Sequence, residues 1–264
     1  MGIIYQNPSL VEVICEVHWE LTPVVMPPGS AVDPFFDVVR ADLTPRMTAL
    51  GFANTQELVP PQVPRQLLAW QPILRFAPST ETWPKVQLGP GILTVNMAGQ
   101  TYTGWPDFEP TVASVIDALL QSFPNADRFL KIKSLQLKYL NAFTDKHNFR
   151  TYSQFSSEYL GLKSVLPDGF MNRLGVAATA VSTASQTKVA ISNPSDSHIS
   201  IQVAEGQINQ MTGCVAQLAI EKNGNVAAGD IAVWFHAANL AARMAFQSLV
   251  TPQLVELMRP EEKK

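Results

Sequence analysis

The feature that most constrains the fold is an alternation of apolar and polar side chains near the start of the chain. Its odd positions are apolar and its even positions are mostly polar: Val11, Val13, Cys15, Val17 and Trp19 against Glu12, Ile14, Glu16, His18 and Glu20. A period of two predicts a β-strand with one buried face, because successive side chains of a strand point to opposite sides. Residues 132–143 alternate in the same way and predict a second strand of this kind.

Two helices and three further strands are predicted between these segments. The first helix is expected from Asp33-Pro34 to Gly51, because aspartate is a good N-cap and proline fits the first helical turn. Pro45 predicts a kink in this helix or an earlier end. The second helix is expected over 108–122, behind a cap at Trp105-Pro106-Asp107. Residues 55–65 are predicted as a loop, and 67–77, 85–88 and 92–97 as strands.

The same order of elements is predicted after residue 126. A helix at 151–160 is followed by strands at 170–183, 187–192, 198–204 and 213–222, a helix at 231–248 capped by Asp230, and a helical tail after Pro252. Val11 lies 124 positions before Leu135, its counterpart in the second alternating segment. The sequence therefore predicts an α+β fold of two similar halves, 1–126 and 127–264, packed as one compact unit. Each half is expected to be a curved antiparallel sheet with helices on one face, ordered strand–helix–strands–helix.

Cysteine usage and the start of the chain bear on the compartment. Cys15 and Cys214 are the only cysteines, and both stand in apolar, strand-like runs that predict buried free thiols. Two cysteines cannot build a disulfide framework, so a reducing cytoplasm is expected. The N-terminus lacks the features of a signal peptide, and no run of about 18 apolar residues predicts a membrane span.

Three motifs resemble those of a known family. They are the opening Asn7-Pro8-Ser9-Leu10-Val11-Glu12, the central Val86-Gln87-Leu88-Gly89-Pro90, and Tyr102-x-Gly104-Trp105. With these motifs the chain resembles, over nearly its whole length, a sporadically distributed family of bacterial proteins without an established activity. Some members lie near defence genes, so the resemblance implies an association with bacterial defence or toxin–antitoxin systems. The motif residues also have structural explanations, since Gly89-Pro90-Gly91 predicts a tight connection between strands.

No catalytic motif is present. The chain lacks a phosphate-binding loop, a dinucleotide fingerprint, a zinc-protease helix and a nucleophile elbow, so no catalytic residue, metal site or cofactor is assigned. His18, beside Glu16 and Glu20, is interpreted as part of a polar strand face rather than an acid–base or metal site. His198 follows a hairpin turn at 193–197, where neighbouring residues cannot adopt triad geometry. The stripe of His236, Asn239 and Arg243 is either a solvated helix face or a docking surface.

Charge is distributed unevenly. Residues 1–126 contain 5 basic and 11 acidic side chains, a net charge of −6, whereas residues 127–264 contain 14 basic and 11 acidic ones, a net charge of +3. Segment 128–150 is the most basic, and its candidate binding residues are Lys138, Lys146 and Arg150. Because Lys131 and Lys133 share the odd numbering of the apolar Leu135, the basic residues are expected to form two clusters at the ends of a strand. Tyr139 and Phe143 are predicted to be core rather than a stacking platform.

The sequence thus favours a non-enzymatic binding or interaction protein of the bacterial cytoplasm, with another protein as its partner and no membrane contact. The first alternative is a nucleic-acid-binding component of a defence complex that uses segment 128–150. The second alternative is an enzyme of unrecognised type. Self-association is left open, because the two halves carry opposite net charge.

Overall fold

The computed structural model describes residues 3–25, 30–162, 169–170, 173, 175, 184–208, 211–224 and 226–262. Its strands are β1 Ile3–Tyr5, β2 Leu10–Trp19, β3 Thr22–Pro23, β4 Ala31–Val32, β5 Asn54–Glu57, β6 Leu74–Ala77, β7 Lys85–Gly89, β8 Ile92–Ala98, β9 Ile132–Phe143, β10 Ala184–Ile191, β11 Ser197–Ile208, β12 Met211–Asn223 and β13 Pro260–Glu262. Its helices are α1 Phe36–Ala49, α2 Trp105–Ser122, α3 Ala126–Phe129, α4 Tyr152–Tyr159, α5 Ile231–Leu249 and α6 Pro252–Met258. Of the helices in these ranges, none has both the length and the apolar character needed to cross a bilayer.

Nine of the strands form one antiparallel sheet, in the order β10-β11-β12-β9-β2-β8-β7-β6-β5. The two alternating segments, β2 and β9, lie side by side near its middle, with Cys15 opposite Leu137 and Glu16 opposite Gln136. The predicted α+β class with a large antiparallel sheet is therefore confirmed. Strands of both predicted halves share this single sheet, rather than forming two distinct sheets, and the likeness of the halves stays a prediction. The remaining strands pair as β1 with β13 and β3 with β4.

One face of the sheet carries the main core. Val13, Cys15 and Val17 of β2 are at most 2% exposed and pack in one cluster with α1, α2 and α5. A second cluster, around Phe143, joins α4 and α6 to the same face at the other end of β9. Removal of this much apolar surface from water is the main contribution to stability. Phe143 is fully buried, so the prediction that it is a core residue is confirmed, whereas Tyr139 is partly buried and packs against the first cluster.

A β-bulge at the start of β9 explains why Lys133 is exposed although the odd-numbered Leu135 and Leu137 are buried. His18 faces Ser134, but the next residue of β2, Trp19, faces Ile132, so Lys133 is an extra residue. The bulge lets Ile132 enter the core while Lys133 turns outward. The Lys133 ammonium lies 3.5 Å from the centroid of the Trp70 ring, a cation–π contact.

Helix α1 begins later than its sequence predicts. Asp33 is not its N-cap, because its carboxylate is used elsewhere: it accepts hydrogen bonds from the Trp19 indole and from the backbone N–H groups of Gly91 and Phe35. Phe35 is the N-cap instead. The helix also continues through Pro45 to Ala49, because its buried stripe of Phe36, Val39, Leu43 and Met47 anchors it to the core.

Other boundaries also differ from prediction. Residues 54–57, expected largely as loop, form β5 by pairing with β6; their side chains are mostly exposed and so carry no apolar alternation. The strand predicted at 67–77 begins only at Leu74, and α2 begins at Trp105 rather than Phe108. The strand predicted at 170–183 falls mainly outside the described residues, and Phe170 and Arg173 within it are helical.

The central glycine motif has a packing role. A Cβ built on Gly89 would lie 1.9 Å from the Gln71 carbonyl oxygen, so only glycine lets the two backbones approach this closely. Gly91 has a φ of +79°, and an added Cβ there would touch the Trp70 ring at 2.8 Å. The structural interpretation of Gly89-Pro90-Gly91 agrees with this geometry.

The two ends of the described chain lie next to each other. Strands β1 and β13 form a small antiparallel sheet in which Ile3 faces Glu262 and Tyr5 faces Pro260. Asn7 continues the contact, because its backbone N–H donates to the Met258 carbonyl at 3.0 Å. The first and last segments are thus held together by backbone hydrogen bonds.

We expect both thiols to be unreactive in the folded protein. Cys15 is 2% exposed and Cys214 is fully buried. Burial raises the pKa of Cys15 well above its usual range and that of Cys214 to about 12. Because the thiolate is the reactive form, Ellman's reagent at mildly alkaline pH should label neither residue natively and both after denaturation. Val189→Cys, at a half-exposed position, supplies a fast-reacting control; native labelling at its rate would contradict the burial of β2 and β12.

Candidate functional site

A polar network occupies the face of the sheet opposite the main core. The Glu16 carboxylate lies at its centre, 2.8 Å from the His18 Nε2 and 2.8 Å from the Lys138 Nζ. The side chains of the three residues are only 12%, 15% and 22% exposed. On the neighbouring strand, Thr94 donates to Asn96, and the Asn96 amide donates to Glu12 at 2.8 Å. Strands β8, β2 and β9 thus present a ladder of mutually satisfied polar groups.

The electrostatics of Glu16 fit a structural ion pair. Burial alone would raise the pKa of Glu16, but hydrogen bonds and positive charge from His18 and Lys138 outweigh burial and hold the pKa below its ordinary value. The carboxylate is therefore ionised near neutral pH, with His18 and Lys138 as its hydrogen-bond partners. Within the described residues, no group of three or more His, Cys, Asp or Glu side chains could hold a metal ion.

The three predicted binding residues have different surroundings. Lys138 lies in the middle of β9 with its charge neutralised by Glu16. Lys146 and Arg150 are exposed beyond the end of that strand, and no ion pair among the described residues includes them. Lys131 and Lys133 are exposed near the opposite end, about 40 Å away at the rise of a 12-residue strand. The basic residues therefore form two separate clusters.

His147 fixes the turn that carries Lys146. It is 3% exposed; its Nδ1 accepts from the Thr144 N–H at 3.2 Å, and its Nε2 donates to the Asn7 carbonyl at 3.1 Å. These bonds require a neutral ring with the proton on Nε2. Burial is the largest cause that lowers the pKa of His147. This histidine joins the end of β9 to the N-terminal segment and is not free to bind a ligand.

Among the described residues, neither His198 nor His236 forms a hydrogen bond with a serine or cysteine side chain. The Ser197 hydroxyl beside His198 donates to the Ser195 carbonyl and accepts from the Trp234 indole at 3.1 Å, so it is not activated by the histidine. His236 pairs with Glu109 of α2 at 2.8 Å. Asn239 instead donates to the buried Tyr139 hydroxyl at 2.6 Å, so the predicted stripe of His236, Asn239 and Arg243 is not one solvated surface.

An open cavity in the helical layer lies between α2 and α5. This groove has a volume of about 330 Å³ and is lined by Trp105, Glu109, Val112, Ala113, Ala232, Val233, Phe235 and His236. Its walls are mainly apolar, and the Glu109–His236 pair supplies a polar contact. Next to it, α5 exposes Val233, Leu240 and Met244 by 69%, 46% and 59%. The sequence had suggested a docking surface on this helix at His236, which lines the groove, but not its apolar part, although the scarcity of charge in α5 was a readable signal.

Replacement of Glu16 should destabilise the fold in a pH-dependent way. Glu16→Gln leaves the half-buried Lys138 without its partner, so we expect the free energy of unfolding to fall by about 1–3 kcal/mol at neutral pH. Because the folded pKa lies below the ordinary 4.5, this stabilisation is present above pH 4.5 and is lost as the pH falls through the folded value. Urea unfolding of both proteins across this range measures the difference.

Asp42→Asn is the matched control, because it breaks the exposed Arg46–Asp42 pair on α1. Its cost should stay below about 1 kcal/mol. An equal loss in the two variants, or a Glu16→Gln loss that persists in acid, would contradict the role given to Glu16.

The chain was compared with known proteins by three routes. No protein-family model, curated protein or solved structure matches it. The candidate site is therefore defined by geometry alone, as the apolar groove between α2 and α5, on the side of the sheet opposite the polar ladder.

Proposed function

We propose that the chain is a non-enzymatic interaction protein of the bacterial cytoplasm that binds a helical segment of a protein partner across α2 and α5. The observation that carries this proposal is the apolar outer side of α5, where Val233, Leu240 and Met244 are exposed beside the groove. An apolar patch with a polar rim is typical of a surface that contacts another protein.

Helix α5 is apolar on two sides. Its inner side is buried in the core through Ile231, Trp234, Phe235, Ala238, Ala241 and Ala242. The outer side of such a helix is normally polar, yet Arg243 is the only Lys, Arg, Asp or Glu among its nineteen residues. Packing among the described residues accounts for the inner side only, and we infer that a partner covers the outer side.

The expected partner is an amphipathic helix with a basic rim. Val233, Leu240 and Met244 are spaced by seven and four residues, the pattern by which one helix contacts another. The neighbouring α2 contains Asp107, Glu109 and Asp117 but no Lys or Arg. Residues 1–126 as a whole carry a net charge of −6. Opposite charge on the partner would speed its association and fix its orientation.

A synthetic probe tests this proposal directly. We expect an amphipathic Leu/Lys helix to bind the protein. A Leu/Glu helix of the same length should bind at least about tenfold more weakly, because the acidic side chains of α2 would repel it. Val233→Glu should weaken the Leu/Lys complex by a similar factor, since it places a charge in the apolar contact. Fluorescence anisotropy of labelled peptides measures both effects.

Val38→Glu is the matched control, because Val38 is 54% exposed on a different helix, α1. Its affinity for the Leu/Lys helix should equal that of the wild type. Equal weakening by Val38→Glu, or unchanged binding by Val233→Glu, would reject the α2–α5 surface as the binding site.

The nucleic-acid alternative rests on the two exposed basic residues, Lys146 and Arg150. Because Lys138 is neutralised by Glu16, we expect the wild type to bind a labelled RNA or DNA oligonucleotide weakly, and without loss on Lys146→Glu/Arg150→Glu substitution. Lys138 is left out of this variant, since Lys138→Glu would place two carboxylates together on the sheet. Tight binding that falls with salt and with the double substitution would favour the alternative instead.

We infer further that the two halves arose by duplication. Ile14 faces Lys138 in the central strand pair, and these residues are 124 positions apart, the spacing of Val11 and Leu135. Outward from this pair the sheet continues with β8, β7, β6 and β5 on one side and β12, β11 and β10 on the other. Both orders run backward along the chain, which is what a two-fold relation between the halves predicts.

A further inference from the structure

Strand β10 lies at one edge of the sheet. Among the described residues it pairs only with β11, in an unbroken register from Ala184 opposite Ala204 to Ile191 opposite Ser197. Its burial pattern shows that most of its side chains are exposed whichever face of the sheet they occupy, and Val189 is 50% exposed. In the part of the chain that the structure describes, no strand pairs with its outer row of backbone groups.

This edge lacks the usual protection against pairing. Natural edge strands are blunted by proline, bulges, short length or an outward lysine. The eight residues of β10 contain no proline and no bulge. Its one lysine, Lys188, is drawn onto the sheet face by an ion pair with Glu221 of β12 at 2.9 Å. The opposite edge, β5, has only four residues and is followed closely by Pro60 and Pro61.

We propose that β10 pairs with β10 of a second copy of this chain, in antiparallel fashion about a two-fold axis. The second copy is favoured over another extended chain because β10 can be complementary to itself. A two-fold axis perpendicular to the sheet keeps each side chain on its own face, so one residue must face its own copy. An axis at Lys188 would oppose two like charges and is disfavoured.

An axis at Thr187 satisfies these constraints best. It places Thr187 opposite Thr187, a favourable cross-strand pair, and Lys188 opposite Gln186 of the second copy. It overlaps residues 184–190 of both copies, whereas an axis at Val189 overlaps only 187–191. The longer register forms more of the backbone ladder, so it is the one we assign.

Cysteine cross-linking tests this register. The two native cysteines are buried, so an engineered thiol on β10 is the accessible one. Thr187→Cys should form a covalent dimer rapidly under copper-phenanthroline oxidation, because directly opposed residues lie about 4.5–5.5 Å apart, within disulfide range. Val189→Cys is the matched control in the same strand. Its two copies would be separated by about 13 Å along the strands, so it should link at least about tenfold more slowly.

Sedimentation of the unmodified protein supplies the second measurement. We expect the wild type to form a concentration-dependent dimer. Thr187→Lys should be monomeric and Thr187→Val should still form the dimer. Circular dichroism should show that both variants are folded. Val233→Glu should leave the dimer unchanged, which separates this proposal from the α2–α5 surface. A monomer at all concentrations, a dimer insensitive to Thr187→Lys, or linking of Val189→Cys as fast as Thr187→Cys would overturn it.

Discussion

The antiparallel pairing of β2 with β9 is the interaction on which the rest of the structure depends. It joins strands of the two predicted halves at the middle of the sheet, and it brings Glu16 and Lys138 together across 122 positions of sequence. Its register turns Cys15 and Leu137 toward the helices at the same time. A slip of one residue would expose that apolar set and bury the carboxylate, so the core and the polar ladder stabilise the same alignment.

Elements with a strong local pattern could be predicted from the sequence. β2 and β9 were readable because one face of each is buried, and α5 because its apolar residues recur at helical spacing. β5 could not be predicted, since its exposed side chains carry no period and it is a strand only because β6 pairs with it. The prediction of where α1 begins failed for a related reason. Asp33 has a good capping side chain, but its carboxylate accepts hydrogen bonds from the distant Trp19 and Gly91.

The candidate sites also combine features that could be predicted from local sequence with features that depend on distant residues. The basic character of segment 128–150 was visible in the sequence, but the state of each charge depends on which strands become neighbours. Lys138 is neutralised by a residue of β2, and Lys133 turns outward because of a bulge that only the register reveals. The α2–α5 groove likewise depends on two helices more than a hundred residues apart in sequence meeting in one layer. A local sequence pattern predicts a single element, whereas a site built from several elements can be predicted only when it is known which elements become neighbours.

The pairing of β1 with β13 makes the described backbone almost a closed ring, because Ile3 and Glu262 face each other. A closed backbone of this kind can be opened at another exposed position. If a short linker joined these ends and the chain were opened at the exposed Asn125, between α2 and α3, β9 would precede β2 in the new order. Every contact between the two strands would be kept, because antiparallel neighbours do not depend on which is made first. Circular permutation at this point would thus exchange the order of the halves while preserving their adjacency.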